Sequence, residues 1–222
     1  MKKRILVIAP HPDDETLGAG GTIAKFSSRG DDVAVLVVSG HLPPLYTREQ
    51  YETTVREATA AFSILGVASS RFLEIPATMV ADEPHHSLNK KIGDVVAEVE
   101  PHVVLCPFPD RHVDHGAVFE SVMVATRPVG VGAAIELIAA YETLSETHWN
   151  APHIEPGFVP TMVVDITGYE DSKMQALACY ESQVPAFPSP RSVEAAAALA
   201  RFRGTQAGFA AGEAFQVVRM RA

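Results

Sequence analysis

Cysteine is nearly absent from this chain of 222 residues, with only Cys106 and Cys179 present. Two cysteines outside any CxxC motif make no disulfide framework. They suit a reducing cytoplasm, which is the expected location. An excess of positive charge is missing too: 18 Lys and Arg face 27 Asp and Glu, a formal net charge of −9. That balance removes any general electrostatic attraction to nucleic acid or to an anionic membrane, although it does not bar a local basic site. No apolar run approaches the ~20 residues of a membrane span. The basic Met1-Lys2-Lys3-Arg4 followed by an apolar run at residues 5–9 imitates the opening of a signal peptide. That run is too short, and His11, Asp13, Asp14 and Glu15 interrupt it at once, so a first β-strand is the better reading. Internal repeats and low-complexity tracts are absent.

What is present is an ordinary globular composition, with 47% hydrophobic and 20% charged residues. A core of that size needs no disulfide staple, and residues 1–222 are expected to form a single domain. Continuous apolar runs at residues 5–9 and 33–38 predict strands buried on both faces, with further strands at 71–75 and 103–106. Helical patterns cover residues 14–29 up to Gly30, 47–65 up to Gly66, and 87–99 with Ser87 as N-cap. This alternation predicts an α/β fold, a Rossmann-like three-layer sandwich with a mostly parallel central sheet. Such sheets place ligands at the carboxyl ends of their strands. Polar clusters fall there, at residues 11–15, 39–41 and 110–115. In the last third, strands are expected at 135–141, 162–166 and 215–220, and helices at 171–179 and 193–202. Residues 145–160 read as a loop, of a length that often belongs to a binding site.

Two segments carry the chemistry: His11-Pro12-Asp13-Asp14-Glu15 and His112-Val113-Asp114-His115. Each follows a predicted strand and precedes a predicted helix. If those strands are neighbours, two imidazoles and a carboxylate make an open-sided zinc site that leaves one position to water. Helix capping is the plainer alternative, since Pro12 with acids in a first turn, and Asp114 before a helix, are good capping chemistry. Capping accounts for the aspartates but gives no reason for His11, His112 and His115 at strand ends.

The paired motifs resemble the LmbE/PIG-L family of zinc-dependent N-acetyl-sugar deacetylases, and the likeness covers nearly the whole chain. Arg56-Glu57, Leu65-Gly66, Ser182-Gln183, Arg191-Ser192 and Glu213-Ala214-Phe215 fit it too, less specifically. The resemblance implies that His11, Asp14 and His115 bind Zn2+, and that Asp13 is the general base. Fe2+ or Co2+ also suits a His2Asp site. Val113 stands where many members carry Pro, away from the ligating atoms. The implied partner is a small-molecule N-acylated sugar, with Arg56 reaching its hydroxyls; without the resemblance Arg56 reads as a surface residue. Chemically, zinc would acidify a water and polarise the amide carbonyl. Asp13 would move that proton to the departing amine. His112, neutral or as an imidazolium, would donate to the oxyanion. Asp114 would orient His112 or His115.

Other residues are open to two readings. Tyr141, His148 and Trp149 stack on a sugar face or anchor a loop, and Tyr141 joins Arg56 as a candidate substrate contact. Gly18-Ala19-Gly20-Gly21 lacks the GxGxxG spacing, so close helix packing is favoured over phosphate binding. Cys106 reads as a buried strand residue rather than a nucleophile. His85-His86 is open to metal binding, with a solvated polar loop the favoured reading. Arg191 and Glu213 close an internal salt bridge or line the pocket, the salt bridge being favoured. Two rival functions remain: a zinc esterase or deacylase of a non-sugar metabolite, and a non-catalytic ligand- or metal-binding protein. A homo-oligomer is compatible with the sequence, which holds no segment that demonstrates one.

Overall fold

A computed structural model of the chain describes residues 2–151 and 157–221. In chain order the elements are β1 (Arg4–Ala9), α1 (Asp14–Ser28), β2 (Asp32–Gly40), α2 (Arg48–Leu65), β3 (Ser69–Pro76), α3 (His85–Val99), β4 (Val103–Pro107) and α4 (Val113–Ala125). There follow β5 (Leu137–Tyr141), α5 (Leu144–His148), β6 (Met162–Asp165), α6 (Glu170–Ala178), α7 (Val193–Thr205) and β7 (Gly212–Met220). The strands form one sheet in the order β3-β2-β1-β4-β5-β7-β6. β7 runs antiparallel to both its neighbours, and the other pairings are parallel.

Successive side chains of a strand point to opposite faces, so one buried run feeds two cores. Ile5, Val7 and Ala9 of β1 pack with Leu17 and Ile23 of α1, Phe62 of α2, Leu177 of α6 and Ala196 of α7. Leu6 and Ile8 pack with Leu88 and Ile92 of α3 and Val118 of α4. These are the three layers expected from the alternation of elements. α1 lies close on the sheet because Gly18 has no side chain: a Cβ there would sit 2.2 Å from the Tyr141 ring. The glycine-rich stretch is therefore a packing surface.

Local differences have local causes. α3 starts at His85 rather than at residue 87, after Pro84, whose fixed φ suits a helix entry. Ser87 lies in its first turn, with Oγ on Glu83, and His85-His86 are helical instead of forming a loop. Within the expected loop at 145–160, residues up to His148 form α5, and residues 152–156 lie outside those described.

Candidate metal centre

β1 and β4 are parallel neighbours, Ile5 pairing with Val103 and Val7 with Leu105. The strand order reverses between them, since β2 and β3 lie beyond β1 and β5 lies beyond β4. A reversal opens a crevice at the carboxyl ends, and both histidine motifs fall into it. One ring nitrogen from each of His11, His112 and His115 lies within 4.8 Å of the other two. Asp14, the first residue of α1, adds Oδ2, which is 3.0 Å from Nδ1 of His11 and 3.3 Å from Nε2 of His115.

The outer partners fix the tautomers. Nε2 of His11 lies 2.9 Å from Oδ2 of Asp114, and Nδ1 of His115 lies 3.1 Å from Oδ2 of Asp110. A carboxylate only accepts, so these nitrogens carry the protons. In the neutral rings, Nδ1 of His11 and Nε2 of His115 are then lone pairs, and both face the Asp14 carboxylate. Nε2 of His115 is buried and, among the described residues, makes no hydrogen bond beyond its ion-pair contact with Asp14. Lone pairs that converge with no proton between them fit a cation, and two imidazoles with a carboxylate are a zinc-type donor set. Without one, protons take its place. Burial would lower the His115 imidazole, but the Asp14 charge and the bonds to Asp110 and Asp14 raise it to about 10. Burial would raise Asp14, but the His115 charge and the bonds from His11 and His115 hold it well below the usual range.

The surrounding carboxylates are anchored in turn. Asp114 accepts backbone N–H groups of Thr78 at 2.6 Å and Val80 at 3.2 Å. Its side chain thus orients His11, which corrects the expectation that it orients His112 or His115. Asp110 holds His115 and also accepts the Thr147 hydroxyl at 2.8 Å. His112 is the N-cap of α4: Nδ1 accepts the backbone N–H of Asp114 at 3.2 Å, which leaves Nε2 as the protonated donor. Burial and the charges of His11 and His115 lower its pKa.

Asp13 departs most from capping. Its backbone is left-handed, φ 111°, and its side chain makes no cap bond to α1. Backbone strain of this kind collects at functional sites. The carboxylate is fully buried; Oδ2 receives the Arg191 guanidinium and, among the described residues, Oδ1 has no hydrogen-bond partner. Burial pushes the carboxyl up to about 7 against the opposing charge of Arg191. Glu15 lies behind it, accepting the Tyr180 hydroxyl at 2.5 Å and Thr16 Oγ1 at 2.7 Å.

Two expected substrate contacts are not gathered here. Tyr141 is 0% exposed; its ring packs on Gly18 and its hydroxyl donates to the Ile8 carbonyl at 2.9 Å. It is a core residue and cannot stack on a ligand. Arg56 lies on the exposed face of α2, where it donates to Thr53 Oγ1 at 2.9 Å. It lines a depression with Arg48, Tyr51 and Glu74, none of them in the histidine cluster. His148 bonds Glu142 at 3.0 Å, and Trp149 is exposed. Arg191 and Glu213 do not pair with each other. Arg191 enters the site, whereas Glu213 takes Lys173 at 2.6 Å and two backbone N–H groups of α1. Asp110 and Arg191 are the site residues whose parts sequence reasoning missed. Asp110 precedes His115 by five positions and was findable as a carboxylate beside a candidate ligand.

Residues 6–126, which contain both histidine motifs, match the PIG-L family, described as GlcNAc-PI de-N-acetylase. A 1D-myo-inositol 2-acetamido-2-deoxy-alpha-D-glucopyranoside deacetylase of Rhodococcus jostii is 29% identical over 247 residues, covering 85% of this chain and 84% of that protein. A diacetylchitobiose deacetylase of Thermococcus kodakarensis is 30% identical over 210 residues, covering 82% and 71%. A conserved protein of Thermus thermophilus superimposes with a TM-score of 0.81 at 27% identity, over 99% of this chain and 96% of that one. The two named relatives are deacetylases of amino-sugar compounds. The chain belongs to the PIG-L (LmbE-like) family.

Proposed function

We propose that this protein is a zinc-dependent N-deacetylase that removes an acetyl group from the amide nitrogen of an amino sugar or sugar conjugate. One observation carries the reading. The lone pairs of His11 and His115 face the Asp14 carboxylate, next in sequence to a buried Asp13 whose Oδ1 has no hydrogen-bond partner among the described residues. The metal ligands in this reading are His11 Nδ1, Asp14 Oδ2 and His115 Nε2. When bound, zinc supplies a Lewis acid that polarises the amide carbonyl and acidifies water near neutrality. Fe2+ or Co2+ suits the same donors.

The chain's own groups do the rest. Oδ1 of Asp13 takes the proton of the attacking water and returns it to the amine nitrogen as the C–N bond breaks. Arg191 holds the other oxygen, so the free one stays aimed. His112 donates from Nε2 to the oxygen of the tetrahedral adduct. Asp114 and Asp110 keep His11 and His115 in the tautomers that leave lone pairs toward Asp14. Family membership and the named relatives support an amino-sugar substrate.

The test is free-amine release from N-acetylated sugars, sugar nucleotides and glycosides, by zinc-loaded and chelator-stripped protein. Amine should appear only with the loaded protein. Carboxylate release from esters with no amine from amides would instead make it an esterase. No turnover together with no stabilisation by zinc would leave a binding protein.

A further inference from the structure

Lys173 of α6 and Glu213 of β7 form a buried ion pair, with Nζ and Oε1 2.6 Å apart. Both partners also bond the backbone inside α1. Glu213 accepts the Gly21 N–H on Oε1 at 2.8 Å and the Thr22 N–H on Oε2 at 2.7 Å. Lys173 donates to the Leu17 carbonyl at 2.8 Å. A regular α-helix pairs the N–H of residue 21 with the carbonyl of residue 17. Both halves of that rung therefore have an outside partner, one of each charge. Glycine makes room for them: a Cβ at Gly20 would lie 3.2 Å from Lys173 Cγ, and one at Gly21 would lie 2.7 Å from the Ile166 side chain.

The pair supplies what apolar packing lacks on this side of α1. Ridges of side chains seated in grooves fix how far a helix slides along its neighbours. Gly18 and Gly21, three residues apart on one face, present no ridge. They permit close approach without setting the position along the axis. Side chains bonded to individual backbone groups do set it. A buried ion pair is often no more stabilising than an apolar pair of the same volume, and its best-attested use is to fix register.

The end of α1 held in register is the metal end. Leu17 follows Asp14 by three residues, less than one turn. Its own N–H goes to the Asp13 carbonyl at 2.8 Å. A slide of α1 along its axis would carry Asp14 Oδ2 away from His11 Nδ1 and His115 Nε2, which lie 3.0 Å and 3.3 Å from it.

We propose that Lys173 and Glu213 are positioning residues for the metal site. Clamped on the Leu17–Gly21 rung, they fix the axial register of α1 and so the place of the Asp14 carboxylate between the two histidines. The proposal rests on the reading of Asp14 as a metal ligand. It gives the glycine-rich stretch and Glu213 a shared task, since the glycines admit the clamp and the clamp replaces the register they cannot supply.

The test uses the full chain, stripped of metal and reloaded. Chelator competition gives the zinc affinity, and the visible absorption of the Co2+-loaded protein reports the ligand geometry. Lys173→Leu/Glu213→Leu leaves no unmatched charge, so it should melt close to the unaltered protein. Its zinc affinity should nevertheless fall about tenfold, the low end for losing a group that orients a ligand, and its cobalt bands should shift. Glu213→Gln, which keeps the shape but only one acceptor oxygen, should move both in the same direction. Val96→Ala opens a cavity on the other face of the sheet. It should lower the melting temperature and leave the affinity and the bands unchanged. Unaltered zinc affinity and cobalt bands in folded Lys173→Leu/Glu213→Leu and Glu213→Gln overturn the proposal, and so does an equal loss in Val96→Ala. Neither metal readout needs a substrate, so the clamp and the reaction fail separately. If no N-acetylated sugar yields amine while the affinity falls as stated, the deacetylase reading is wrong and the clamp stands. Amine release by variants of unchanged affinity sinks the clamp alone.

Discussion

Arg191 donates its guanidinium to the buried carboxylate of Asp13, across 178 positions of sequence. The pair joins the segment before α7 to the first turn of α1. It sets both the direction and the charge of the proposed base.

Removing that guanidinium leaves burial unopposed, so the Asp13 pKa rises further. Arg191→Met should therefore move the acidic limb of the kcat/KM–pH profile to higher pH. It should also lower kcat by roughly a hundredfold, the low end of what a positioned base contributes. Arg191→Lys should recover part of both. A pH profile that does not move would dissociate Arg191 from Asp13.

Cys106 lies on β4 close in sequence to the second motif, yet burial pushes its thiol up to about 12. A thiol that stays protonated is a poor nucleophile. Iodoacetamide should label the half-buried Cys179 in the folded protein and reach Cys106 only after unfolding. Peptide mapping by mass spectrometry reads the difference.

Glu142 is buried between Arg203, which donates from Nε at 2.8 Å and Nη2 at 2.6 Å, and His148 at 3.0 Å. Burial would raise its pKa, but the bonds from His148 and Arg203 hold it below the ordinary carboxylate value. A carboxyl depressed in the folded state contributes stability that is present above its unfolded pKa, near ~4.3, and lost as pH falls through the folded one. The melting temperature should therefore drop below about pH 4, and less so in Glu142→Leu/Arg203→Met. Arg203→Ala alone should cost about 1–3 kcal/mol by denaturant unfolding, since it removes two charge-assisted bonds from a buried carboxylate that keeps only His148.

Gly18→Ala drives a Cβ into the Tyr141 ring. A loss of about 1–3 kcal/mol is expected from overpacking, with a matching fall in melting temperature. A neutral effect would mean that α1 is not held against β5.

Much of this was legible in the sequence because it is local. The apolar run of β1 and its alternation into two cores follow from residues 5–9 alone, and the two histidine motifs are contiguous. That β1 and β4 are neighbours is only a condition in the sequence, because strand order is set by packing across the sheet. What was missed is likewise held together over distance. Nothing near Arg191 announces Asp13, and nothing near Asp114 announces that its side chain serves His11. Tyr141 misled because an aromatic at a strand end looks available. Its inward direction is set by the pleat, and by a glycine far from it on α1.

In the proposed reaction Asp14 holds metal while its neighbour Asp13 moves the proton, and paired metal analysis and amine-release kinetics test that division most directly. Zinc-reconstituted Asp13→Asn should hold as much metal as the unaltered protein and lose about 10²–10⁴-fold in turnover. His11→Ala should lose both metal and turnover. Full turnover in metal-replete Asp13→Asn, or full metal content in His11→Ala, would contradict the account.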